Sequence, residues 1–126
     1  MQEGVHSMLD VKKLLTKILT KTTVTPTSTY GTIANNCSFR IGNTVFLSFR
    51  FTASQAVSAY TSFIGGLPTI KATGSTQFSV WARLVSSSTV SGMIGLSAYG
   101  DTTTLSNWVS ISKNQVVDII GFYTAK

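Results

Sequence analysis

Residues 37–52 read CSFRIGNTVFLSFRFT. On the first arm Cys37, Phe39 and Ile41 alternate with Ser38, Arg40 and Gly42. On the second, Val45, Leu47, Phe49 and Phe51 alternate with Phe46, Ser48, Arg50 and Thr52. Successive side chains of a strand point to opposite faces, so a period of two marks strands with one buried and one wetter face. Gly42-Asn43 between the arms suits the positive φ that tight hairpin turns require. The stretch therefore predicts a hairpin. Cys37, Phe39, Ile41, Val45, Leu47, Phe49 and Phe51 are expected on its inner face, and Phe46, Ser48 and Arg50 on its outer face.

Strand and turn signals continue from Tyr30 to the end. Short strands are expected at Tyr30–Ala34, Val57–Ile64, Phe78–Val85, Met93–Tyr99, Trp108–Ser112 (Val109 and Ile111 inward) and Val116–Thr124. Gly65-Gly66-Leu67-Pro68, Ser86-Ser87-Ser88, Gly100-Asp101-Thr102 and Lys113-Asn114 punctuate them. Many short strands between turn signals predict an all-β fold, an antiparallel β-sandwich or jelly-roll-like head, over 30–126.

The N-terminus has a different pattern. Residues 1–7 predict a disordered tail. Ser7-Met8-Leu9-Asp10 fits a capping box, and Met8, Val11, Leu15 and Ile18 follow helical spacing. One short amphipathic helix over 8–21 is expected, ending before β-branched Thr22-Thr23-Val24-Thr25 and Pro26. Residues 22–29 predict a linker. An isolated helix of about four turns is marginal in water, so it must either pack on its own domain or self-associate; the heptad-like spacing favours self-association.

The chain has 126 residues, enough for one domain with a core. Charged residues make up only 11%, against about a quarter in ordinary domains. So neutral a surface suggests that part of it is covered in an oligomer. The net charge is +6, with Lys12, Lys13, Lys17 and Lys21 on the helix and Arg40, Arg50, Lys71, Arg83, Lys113 and Lys126 scattered. A phosphate-tracking groove needs basic residues on one face, so no nucleic-acid partner is expected. The single cysteine, Cys37, excludes an intrachain disulfide and falls on the apolar register. No apolar run is long enough to span a membrane. The lysine-interrupted N-terminus does not resemble a signal peptide.

Catalytic groups are scarce. His6 is the only histidine, and the acidic residues are Glu3, Asp10, Asp101 and Asp118. Neither a His-based metal site nor a Ser-His-Asp arrangement can be assembled from one chain. Asp101 and Asp118 are the only pair the β-domain could offer a glycosidase. Asp101 sits in a turn, and Asp118, within Val116–Ile120, either faces solvent or pairs with a base such as Arg83 or Lys113. No phosphate loop, zinc or calcium pattern is present. No enzyme activity, catalytic residue, metal or cofactor is therefore expected. What remains are aromatics on polar registers. Trp81 shares a face with Ser79 and Arg83, and Trp108 with Ser110 and Ser112; Tyr60, Tyr99 and Tyr123 are further candidates. An apolar ring beside hydroxyls and a guanidinium suits a stacked sugar or a protein interface.

The chain resembles the C-terminal receptor-binding head domains of tail-fibre, baseplate and minor structural proteins of bacteriophages and prophages, especially those of Gram-positive hosts. The segments that carry the resemblance are Cys37-Ser38-Phe39-Arg40-Ile41-Gly42-Asn43-Thr44-Val45, Phe63-Ile64-Gly65-Gly66-Leu67-Pro68, and the ending Ile111 to Lys126 with Tyr123-Thr124-Ala125-Lys126. The helix Leu9 to Leu19 is similar to the one that often precedes such heads. After Pro68 the chain departs from the pattern: Thr69-Ile70-Lys71-Ala72 replaces the usual aromatic and proline cluster. The resemblance implies a homotrimer in the virion tail, made in the bacterial cytoplasm without a signal peptide. Such a trimer would contact other tail or baseplate proteins and bind host-surface polysaccharide, often between subunits, without inserting into a membrane. The expected ligand contacts are Trp81, Arg83, Trp108, Tyr99 and Asp101. The expected oligomer contacts are Met8, Val11, Leu15, Ile18 and Phe46. The alternatives are a cell-wall glycan hydrolase and a bacterial carbohydrate-binding or adhesive module outside any virion.

Overall fold

The long alternating arm becomes the spine of the molecule. In the computed structural model, which describes residues 11–13, 20–71, 78–86 and 89–126, this arm is strand β4, Thr44–Ala53. Eight further strands are described: β1 (Lys21–Thr23), β2 (Gly31–Ala34), β3 (Phe39–Ile41), β5 (Ser62–Ile64), β6 (Phe78–Ser86), β7 (Thr89–Ala98), β8 (Leu105–Asn107) and β9 (Val116–Thr124). They form one sheet in the order β1-β3-β4-β9-β6-β7-β8-β5, with β2 also on β4. All pairings between these strands are antiparallel. The all-β expectation holds, and the sheet curls into a half-barrel. Beyond the two end strands the chain makes one isolated bridge: Thr27, after β1, and Gly65, after β5, exchange both backbone hydrogen bonds, at 2.9 and 2.8 Å.

The curl encloses the core. Val45, Leu47, Phe49 and Phe51 of β4 meet Val117 and Ile119 of β9, Val80 and Ala82 of β6, and Ile94 and Leu96 of β7. Phe51 packs edge-on against Phe63 of β5 at 5.1 Å. Val57, Ile70 and Ile111, outside the strands, enter the same core through isolated bridges.

Several expectations are corrected. The hairpin forms, but its first arm is turned over. The two-residue turn pairs Ile41 with Thr44 and therefore Phe39 with Phe46. Directly opposed residues share a face, so Phe39 and Ile41 lie on the outer side, and the Phe39 and Phe46 rings stack at 4.9 Å. Only Gly42 of the turn pair has positive φ, 57°, the pattern of a II′ turn. Cys37, expected in the core, is exposed, and Ser38 is buried in its place. Ser38 Oγ accepts from the Ser48 N–H at 3.0 Å, which satisfies the buried hydroxyl.

Lys21–Thr23, expected as helix end and linker, is a strand because the edge of β3 offers it a ladder. Residues 11–13 are helical and Val11 is exposed. Met8, Leu15 and Ile18 lie outside the described residues. In place of a strand at Trp108–Ser112 there is β8, Leu105–Asn107. The Asn107 amide donates to Val109 O at 2.7 Å and bends the chain there, so Val109 is exposed while Ile111 is buried. Of the expected strand Val57–Ile64, only a bridge at Val57 and β5 form.

Candidate functional site

Alternation on β4, β9, β6 and β7 sends every second side chain to the outer, convex face. Cross-strand register arranges these side chains in rows. In one row Arg50 pairs with Asp118, and Asp118 with Arg83. Arg50 donates Nε–H to Asp118 Oδ1 (2.7 Å) and Nη2–H to Oδ2 (3.0 Å); Arg83 donates Nη2–H to Oδ2 (3.2 Å). The carboxylate is largely covered, whereas both guanidiniums are about half exposed. The hydrogen bonds from Arg50, assisted by Arg83, hold the Asp118 carboxyl below the usual carboxylate range, against the opposing effect of its burial. The row carries two positive charges against one negative. It borders an open depression of ≈ 220 Å³, lined among others by Asn35, Ser48 and Ile120.

The next row is aromatic. Trp81 on β6 pairs in register with Gly95 on β7, and the Trp108 N–H donates to Gly95 O at 3.0 Å. The Trp108 ring lies over Gly95, where a Cβ would stand only 2.6 Å from Cδ2. The missing side chain is thus the seat of the indole. Trp81 and Trp108 meet edge-to-face, with centroids 6.2 Å apart, and Trp81 is 58% exposed. A hydroxyl row follows across β7, β8 and β5. Ser97 pairs with Ser106 and Ser106 with Ser62, and the Ser62 and Ser106 hydroxyls are 3.1 Å apart. Toward the other end of β4 and β9, beside β3, the same face is apolar: Phe46 adjoins Phe39 and Phe122, and Phe122 and Ile120 are exposed. Lys21 Nζ covers the Phe39 ring at 4.6 Å.

The fold thus gathers Trp81, Trp108 and Arg83 on one face. Tyr99, just past β7, is exposed. Asp101 is engaged by Lys126 at 2.9 Å, beyond the end of β9. A strand rises ~3.4 Å per residue, so Asp101 and Asp118 stand at opposite ends of β9. That is farther apart than the roughly 5–9.5 Å between a glycosidase's two carboxylates. Tyr123 is a core residue: it is buried and donates its hydroxyl hydrogen to Pro68 O at 2.7 Å, and burial raises its pKa. Gly95 and the serine row carry no local signal, because only long-range register places them beside the tryptophans. Among the described residues no group of three or more His, Cys, Asp or Glu gathers, and no helix is long and apolar enough to cross a membrane. Comparison with protein-family models, curated proteins and solved structures returns no match.

Proposed function

We propose that the chain is the head domain of a trimeric phage or prophage tail-tip protein that binds host cell-surface saccharide without catalysing a reaction. The observation that carries this proposal is the outer face. A monomer rarely leaves so many neighbouring large apolar groups in water, and such patches mark interaction surfaces. Phe46 (38% exposed), Phe122 (67%) and Ile120 (64%) offer a surface for a neighbouring copy. Trp81 and Trp108 offer indoles beside hydroxyls and Arg83, which suits the apolar face and the hydroxyls of a sugar ring. The buried bridging residues Val57, Ile70 and Ile111 support a jelly-roll-like second layer over the curled sheet.

Two measurements test this. Light scattering on the purified chain is expected to give three copies, and Phe46→Glu is expected to lower that number; a wild-type monomer overturns the trimer. Trp81→Ala and Trp108→Ala, made separately, are expected to weaken binding to Gram-positive cells and to their isolated wall polysaccharide. Undiminished binding by two folded variants removes both residues from the site. Tail and lysis genes beside the coding gene would separate a virion protein from a bacterial adhesive module.

A further inference from the structure

Three non-glycine residues among those described have positive φ: Asn35, Tyr60 and Asn114. Asparagine visits this region readily, whereas a bulky aromatic there is an outlier held by its surroundings. Tyr60, at φ 61°, is held by a fully buried asparagine. The Tyr60 N–H donates to Asn107 O at 2.7 Å. Asn107 Oδ1 accepts from the Thr61 N–H at 3.0 Å, and its Nδ2 donates to Ser58 O at 3.0 Å and to Val109 O at 2.7 Å. Thr61 Oγ1–H also donates to Ser58 O, at 2.7 Å.

This network, centred on buried Asn107, serves no packing of the Tyr60 ring, which is 79% exposed. It holds the Tyr60 backbone beside Asn107, the residue before Trp108, and leaves the Tyr60 ring in solvent. Ser62, two residues on from Tyr60, carries one hydroxyl of the Ser62–Ser106 pair. The loop residues 58–61, Ser58-Ala59-Tyr60-Thr61, carry no charge.

We infer that Tyr60 is a third aromatic contact of the glycan site, which takes an extended neutral oligosaccharide. Its sugar rings lie against Trp81, Trp108 and Tyr60, and Ser62 and Ser106 hydrogen-bond its hydroxyls. Asn107 is a positioning residue that holds the Tyr60 backbone. This inference rests on the saccharide-binding proposal and names its ligand class.

The test uses the full chain with two soluble probes, cellotriose and tri-N-acetylchitotriose, followed by tryptophan fluorescence. Tyr60→Gly is the informative variant, because glycine adopts positive φ without strain. Its urea midpoint is expected to equal or exceed that of the wild type. Its affinity for whichever trisaccharide binds is expected to fall about tenfold, the scale of one lost ring contact. A lower midpoint would mean that the tyrosine serves the fold, and an unchanged affinity would mean that it touches no ligand; either overturns the inference. Failure of both trisaccharides to change the fluorescence at millimolar concentration also overturns it. The host-binding proposal survives that last result if whole-cell binding still depends on Trp81.

Discussion

Replacing Gly95 by alanine sets a steric cost against a backbone gain on one strand. A Cβ at Gly95 would stand 2.6 and 2.8 Å from Trp108 Cδ2 and Cζ3. Carbon atoms prefer about 3.5–4.0 Å, so the indole must retreat by roughly 1 Å. Its backbone cannot follow, being bonded to Gly95 O at 3.0 Å, so the ring swings outward and loses its edge-to-face contact with Trp81. Such contacts contribute about 0.5–1.5 kcal/mol beyond burial, and overpacking typically costs about 1–3 kcal/mol. Against this, alanine in a strand interior is favoured over glycine by roughly 0.5–1 kcal/mol.

Gly92, on the same strand, supplies the control: a Cβ there would meet only Leu84 Cδ1, at 4.0 Å. Gly92→Ala should therefore show the backbone gain alone. The difference between the two variants isolates the clash, and about 1–3 kcal/mol is expected. Urea unfolding measures it. Near-UV circular dichroism should show the tryptophan pair altered in Gly95→Ala and intact in Gly92→Ala. Saccharide binding should be lost in the first variant and kept in the second. Equal stabilities with identical near-UV spectra would refute the seating of Trp108 on Gly95.

The Asp118 carboxyl titrates below its usual value in the folded state. Its contribution to stability is thus present above the unfolded value, about 3.8, and is lost as pH falls through the lower folded value. Asp118→Asn is expected to destabilise the fold at neutral pH, by leaving Arg50 and Arg83 to repel each other, and to flatten the acid limb of an unfolding-against-pH curve. Tyr123→Phe removes the hydrogen bond to Pro68 O and should lower stability by about 1 kcal/mol in urea unfolding, with the oligomeric state unchanged.

Much of the fold is legible because β-strands leave a local trace. The alternations Val45-Leu47-Phe49-Phe51 and Val117-Ile119, the Gly42-Asn43 turn and the strand over residues 78–85 were all readable, since a period of two and a positive-φ turn are short-range properties. The inner parity changes across the Gly42-Asn43 turn: a two-residue turn opposes Ile41 to Thr44, so Phe39 shares the face of Phe46, and Ser38 rather than Cys37 is buried. Val109 could not be read correctly, because the bend that exposes it is made by the Asn107 side chain, itself held by Ser58 and Thr61 far back in the sequence. The strand at Lys21–Thr23 likewise depends on a partner edge that no local pattern announces.

The candidate site divides in the same way. The amino-acid sequence by itself determined that Trp81 and Arg83 share the polar register of one strand, because alternation is encoded residue by residue; Trp108, beyond the end of β8, is placed instead by its bond to Gly95 O. The sequence also determined that residues 37–52 fold back on themselves. Only the tertiary structure decided that Arg50 and Arg83 share Asp118, that Trp108 rests on Gly95, and that Ser62, Ser97 and Ser106 form one row. Each of these depends on the register between strands distant in sequence. That register is set by how the whole curled sheet buries its inner side chains.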